Sequence, residues 1–167
     1  MITAVIVTVS DSCFEGRRHD LSGPAIARAL KEHGFEVEAP VIVSDDLRAI
    51  GDALRQAASQ ARLVVTTGGT GIGPRDVTPE ATRTACGRIL EGVSERMRAA
   101  GLAETPYAAL SRALCGTLGT SLVLNLPGSP RGAVTSLNAV LPLIHHALDL
   151  LAGKTDHPAE SRDGAAG

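Results

Sequence analysis

Four glycines in six residues, Gly68, Gly69, Gly71 and Gly73, lie within TTGGTGIGPRDVTPE at 66–80 and follow an apolar run. Without a Cβ the main chain can take positive φ and bring consecutive N–H groups up to phosphate oxygens. The same composition also suits a plain flexible turn. Pro74-Arg75 stands where a Walker A loop carries Lys-Ser/Thr, and Pro74 fills the last glycine of a dinucleotide fingerprint, so the segment is neither. Asp76 sets a carboxylate beside those amides. A bound anion would repel it unless a cation such as Mg2+ lay between them, which points to a metal–nucleotide complex. A turn, or a cap for a helix starting at Thr78, is the plainer use of Asp76.

Further carboxylates gather on the same side. Asp11 ends the first apolar run and Asp45-Asp46 follow the second, so in a parallel sheet all share the carboxyl edge with the glycine loop. One of Asp45 and Asp46 also suits a helix cap. NLPGSP at 125–130 leaves a strand and enters a helix, whose free amides and partial positive charge suit an anionic group. Its alternative is an ordinary strand-to-helix turn. His145 and His146 are adjacent and cannot share a helix face as i, i+4 metal ligands do. Ser12, Ser22 and Ser111 have no histidine base nearby in sequence, so a hydrolase triad is unsupported.

The elements that must position these residues follow from periodicity. Ile2–Ser10 is an almost continuous apolar, β-branched run, as in a strand buried on both faces. Ser22 before Pro24, with Ile26, Leu30 and then Gly34, predicts a helix with a serine cap and a glycine stop. Glu36–Val43 predicts a second strand, Leu47, Ile50, Leu54 and Ala58 a second helix, and Leu63–Thr66 a third strand, giving the β-α-β-α-β order of an open α/β sheet. Thr78-Pro79-Glu80 starts a short helix to about Cys86, with threonine as cap. Val93–Ala100 reads as another helix. Leu114–Leu118 and Ser121–Leu126 flank Gly119-Thr120 as a hairpin or two neighbouring strands. A last helix starts near Ser129-Pro130, with Pro142 expected to kink or divide it.

The 167 residues fit one domain, placed at 1–153 with a polar tail at 154–167. Hydrophobic residues at 44% and charged residues at 20% are ordinary for a globular protein. A net charge of −2 argues against nucleic acid as a partner. No apolar run nears the ~20 residues of a membrane span and no signal peptide is evident, so no membrane and a cytoplasmic location are expected. Cys13, Cys86 and Cys115 form no C-x-x-C pair and read as reduced thiols. Aromatics are only 2%, so backbone contacts rather than stacking must carry any nucleotide recognition.

Taken together, TVSD at 8–11, SGPA at 22–25, SDD at 44–46, TGGTGIGPRDVTPEAT at 67–82, TPYAALSR at 105–112 and NLPGSP at 125–130 resemble one family. It is the Mog/MoaB family of molybdenum-cofactor biosynthesis, which includes molybdopterin adenylyltransferases and the G domains of gephyrin and its plant counterpart. The resemblance runs from about Ile2 to Gly153. It implies a three-layer α/β fold with a mostly parallel sheet, and an enzyme that joins AMP from Mg-ATP to the terminal phosphate of molybdopterin. Carried over residue by residue, Asp45 and Asp76 are the catalytic positions, with Asp76 orienting Mg2+. Ser10, Asp11, Asp20, Gly68, Gly69, Thr70, Gly71, Asn125, Pro127, Gly128 and Ser129 complete the pocket, and Ser111 lies near the pterin. Two departures stand out: Leu118 where transferase relatives often carry a basic residue, and Ser44 in place of a proline. Asn125 agrees with the transferase branch. The alternatives are a MoaB-type molybdopterin-binding or carrier protein without transfer, and a structural partner using the fold for oligomer contacts. The resemblance also implies a homo-oligomer, a trimer or, in the MoaB branch, a hexamer.

Overall fold

The computed structural model describes residues 1–154, so the expected tail falls outside the described residues from 155 on. The strands are β1 (Ile2–Val9), β2 (Phe35–Val37), β3 (Val41–Val43), β4 (Leu63–Thr67), β5 (Arg88–Ile89), β6 (Cys115–Leu118) and β7 (Ser121–Leu126). The helices are α1 (Asp11–Phe14), α2 (Ser22–Glu32), α3 (Leu47–Gln60), α4 (Thr78–Ala85), α5 (Glu91–Leu102) and α6 (Pro130–Leu151), with a 3-10 turn at Pro106–Leu110. The strand order is β2-β1-β4-β7-β6-β5, with β3 also on β1. β1 pairs in parallel with β2, β3 and β4, and β4 with β7. Only the β5-β6-β7 side is antiparallel.

Alternation along the central strands makes three layers. Ala4 and Ile6 of β1, Leu63 and Val65 of β4, and Leu122, Leu124 and Leu126 of β7 bury one face against Ile26 and Leu30 of α2, Met97 of α5 and Leu137, Val140 and Ile144 of α6. Val5, Val7 and Val9, Val64 and Val123 bury the other face against Ile50 and Leu54 of α3 and Ala81 of α4. Each fully buried leucine or isoleucine contributes about 1.5–3 kcal/mol by leaving water. Period-2 strands with two buried faces require this sandwich, which is the expected three-layer α/β architecture.

Several boundaries differ from the sequence reading. The predicted strand at 36–43 is two short pieces, β2 on residues 2–4 of β1 and β3 on residues 7–9. Pro40 lies in the gap and has no N–H for a ladder. Ser22 is not a cap: its helix receives Asp20, whose Oδ1 accepts the Gly23 N–H at 3.0 Å. Thr78 is not a cap either, but lies inside α4 with its hydroxyl turned elsewhere. Sequence reading missed α1, the two-residue β5 and the 3-10 turn, which are too short for a period to show. The hairpin alternative holds for β6 and β7, turning at Gly119 with φ +59°. Burial pushes the Cys86 thiol up to about 11 and Cys115 to about 12, so both stay protonated at neutral pH.

Residues 130–151 form one helix that Pro142 does not divide. By length and composition it reaches the threshold of a membrane span, with a mean hydropathy of 1.3, contrary to the expectation that no such run exists. Its apolar stripe is spent on the core instead: Ala133, Leu137, Val140, Leu141, Ile144 and Leu148 are buried. Pro142 is exposed and withholds an N–H from the Asn138 carbonyl. Replacing Pro142 with alanine should raise the unfolding free energy by about 1–3 kcal/mol, read from a denaturant melt.

Candidate functional site

The carboxyl ends of β1, β3, β4 and β7 meet at one edge of the sheet, and the glycine loop leaves β4 there. Gly68 and Gly69 take φ of +96° and +66°. A Cβ on Gly68 would stand 2.2 Å from the Val9 carbonyl oxygen, and one on Gly69 2.4 Å from Thr78 Oγ1, so only glycine fits either place.

The loop's own polar groups divide by kind. The Gly68 carbonyl accepts from Thr78 Oγ1 at 2.9 Å and the Gly69 carbonyl from Thr78 N–H at 3.1 Å. The Thr70 carbonyl accepts from Arg112 N–H at 2.8 Å and the Gly71 carbonyl from Arg112 Nε at 2.7 Å. By contrast, the N–H groups of Gly69, Thr70, Gly71 and Ile72 have no acceptor among the described residues. Four consecutive donors with their carbonyls tied back make a main-chain nest for an anion. Thr67 Oγ1 donates to the Pro127 carbonyl at 2.8 Å and fixes the turn beside it.

Two crevices flank this loop. The larger, about 420 Å³, is lined by Gly69, Thr70, Gly71 and Asp76 at one end and by Met97, Tyr107, Ala108 and Leu110 at the other, with Ser111, Pro127, Gly128 and Ser129 between. The smaller, about 340 Å³, is lined by Ser10, Cys13, Asp20, Thr67 and Gly68. Gly128 and Ser129 line both. They also begin α6, where Ser129 accepts the Gly132 N–H at 3.2 Å, so the positive end of a 22-residue helix dipole faces the junction.

The carboxylates take different stations. Asp46 caps α3 by accepting the Ala49 N–H at 2.8 Å, which leaves Asp45 for the loop. Asp45 Oδ2 accepts the Asp11 N–H at 2.8 Å and Asp11 Oδ1 the Asp45 N–H at 2.9 Å, a reciprocal link between β1 and β3. Arg75, on the loop tip, donates to both oxygens of Asp11 at 3.0 Å. Asp76 stands on the wall of the larger crevice, where its Oδ2 accepts the Gly73 N–H at 2.8 Å. It closes a turn and does not cap α4. The Asp45 N–H, and then the Arg75 guanidinium, hold the Asp11 carboxyl below its usual range. Burial chiefly, and then the charges of Asp11 and Asp76, raise that of Asp45.

Other expected site residues have structural duties. Asp20 lines the smaller crevice, but its carboxylate is committed to Thr8 Oγ1 at 2.7 Å, Ser22 Oγ and the Gly23 N–H. Asn125 does not reach either crevice. Its fully buried amide donates to Thr66 Oγ1 at 3.0 Å and Thr82 Oγ1 at 2.9 Å and accepts the Leu114 N–H at 3.1 Å, binding β4, α4 and β7 together. Leu118 pairs with Ser121 at the start of β7, the end of the sheet opposite the loop, so within this chain it faces no anion at the site. Arg75 and Arg112 are the residues that sequence reading passed over, although both lie inside motifs it quoted. No group of three His, Cys, Asp or Glu side chains is arranged for a metal among the described residues. The donor set suits Mg2+ held the way that ion prefers, by one or two carboxylates with the remaining ligands from phosphate and water.

A nest of free amides beside carboxylates at the carboxyl edge of a mostly parallel sheet defines an open α/β protein with its candidate site where such sheets bind ligands. Residues 5–146 match the family described as the probable molybdopterin binding domain, and the chain belongs to this family of molybdenum cofactor biosynthesis. It is 41% identical over 155 residues to a molybdopterin adenylyltransferase of Helicobacter pylori, covering 89% of this chain and 86% of that protein. It is 37% identical to the molybdenum cofactor synthesis protein cinnamon of Drosophila melanogaster, of which it spans only 26% while 90% of this chain is matched. The solved structure of the molybdopterin biosynthesis enzyme MoaB from Thermus thermophilus superimposes with a TM-score of 0.86 at 49% identity, over 92% of this chain and 98% of that one.

The station of Asp45 sets a test. Its ionised form is disfavoured in the fold, so its contribution to stability falls as pH rises from the ordinary 3.8 through the raised value. Asp45→Asn keeps an oxygen for the Asp11 N–H and should melt a few degrees higher than wild type at pH 7. That gain should vanish as the pH is lowered towards 3.8, in calorimetry across a pH series.

Proposed function

We propose that this protein is a molybdopterin adenylyltransferase, transferring AMP from Mg-ATP to the terminal phosphate of molybdopterin with release of pyrophosphate. The observation that carries the reading is the pair of crevices sharing the Gly128-Ser129 wall beside the amide nest, since a two-substrate phosphoryl transfer needs two pockets meeting at one anion site. The identity to the Helicobacter transferase supports it. Ser111, which the resemblance puts near the pterin, lines the larger crevice, and this supports giving that space to the pterin and the smaller one to the nucleotide.

The nucleophile is a phosphate oxygen already ionised at neutral pH, so the site needs alignment more than a general base. An O–P bond forms from the molybdopterin phosphate to the α-phosphorus of ATP. The α–β bridging bond breaks, and its electron pair leaves with pyrophosphate. The free N–H groups of residues 69–72 hold oxygens of the transferring group, and the α6 N-terminus adds positive potential. Asp76, on the crevice wall, would hold Mg2+, with Asp45 behind Gly69 as the second carboxylate. Bound there, Mg2+ would supply charge neutralisation for the triphosphate and the leaving pyrophosphate. The reading includes a homo-oligomer, a trimer or a hexamer, which the resemblance supports, and keeps the expected cytoplasmic location.

A second reading, molybdopterin binding without transfer, is supported by the match of residues 5–146 to the probable molybdopterin binding domain, a description that names binding alone. Anaerobic incubation with molybdopterin, ATP and Mg2+ separates the two. The wild type should form adenylated molybdopterin and pyrophosphate, and Asp76→Asn should do so about 100-fold or more slowly. Pterin binding without product would select the second reading.

A further inference from the structure

We infer that Arg112 is the positioning residue that sets the amide nest for phosphoryl transfer. The inference rests on the transferase reading above and extends it to a residue that touches neither crevice. Arg112 lies 41 residues from Gly71 in the chain, on the segment between the 3-10 turn and β6. Its Nε donates to the Gly71 carbonyl at 2.7 Å, its Nη2 to the Asp76 carbonyl at 2.7 Å and its own N–H to the Thr70 carbonyl at 2.8 Å. Nη1 meets Glu80 of α4. One side chain and its backbone thus gather three carbonyls from the two ends of the loop.

All described peptide bonds are trans. In a trans peptide the N–H points opposite to the carbonyl before it. Holding the carbonyls of Thr70 and Gly71 therefore aims the N–H groups of Gly71 and Ile72 away from Arg112, while the third bond fixes the main chain that carries Asp76. Glycine makes this loop free to adopt many conformations, and the nest requires one. A planar fork of donors can span two carbonyls in fixed geometry, which a lysine ammonium cannot. Glu80 anchors the far side of the guanidinium but touches no loop carbonyl.

The test measures steady-state transfer with both substrates varied, alongside thermal melts. Arg112→Ala and Arg112→Lys should lower kcat about 100-fold with the KM for each substrate changed less than about 3-fold, because the loss falls on the transferring group. Glu80→Gln, which removes only the anchor, should stay within about 3-fold of wild type. Equal turnover in Arg112→Lys and wild type would overturn the inference, since charge alone would then suffice. An equal loss in Glu80→Gln and Arg112→Ala would overturn it too, by assigning the effect to the ion pair. If Arg112→Ala does not fold, Arg112→Lys decides. An inactive wild type would sink the transferase reading separately. The clamp would then be read by calorimetric titration with inorganic pyrophosphate, which Arg112→Lys should weaken at least about 10-fold. Unchanged pyrophosphate affinity would overturn it.

Discussion

Every peptide unit carries a donor and an acceptor, so a loop can offer a row of N–H groups to an anion only if its carbonyls are satisfied somewhere else. This constraint organises the site. Thr78 takes the carbonyls of Gly68 and Gly69, and Arg112 those of Thr70 and Gly71. Thr78, at the start of the helix that follows the loop, and Arg112, some forty residues beyond Gly71, therefore shape the amide nest without lining either crevice. The sheet supplies the rigid floor: β4 is buried on both faces and paired on both sides, so the loop leaves from a fixed point.

The same edge collects negative charge, and the structure grades it. Asp11 is neutralised by Arg75 and by the Asp45 main chain, Asp20 by three donors, and Asp46 by a helix N-terminus. Asp45 and Asp76 receive only one main-chain N–H each. The two least compensated carboxylates are thus the ones beside the glycine loop. A site left underneutralised in this way favours a ligand that arrives with its own cation.

Much of this was legible in the sequence for a simple reason: buried parallel strands and glycine loops are written in contiguous residues. β1, β4, β7 and the loop at 67–80 follow from runs and local composition, and the carboxyl-edge rule places Asp11, Asp45 and Asp76 together. What stayed hidden depends on contacts across the chain. Arg112 is one arginine among many until the fold sets it behind Gly71. Asn125 reads as a pocket residue from its motif, yet it is a buried cross-brace, because strand alternation turns it toward α4 rather than the crevice. Thr78 looked like a cap from its place before proline, but a buried hydroxyl bonds the nearest free carbonyl, and here that is Gly68.

The break at Pro40 reaches beyond the site. One margin of the sheet is formed by β2 and β3, three residues each with proline between them, and the other by the two-residue β5. Neither margin presents a continuous row of free main-chain groups long enough to template another strand. The protein is thereby guarded against edge-to-edge aggregation while it keeps a wide, fully buried central sheet. Any association between copies of the chain would have to run through side-chain surfaces, where its geometry can be chosen residue by residue.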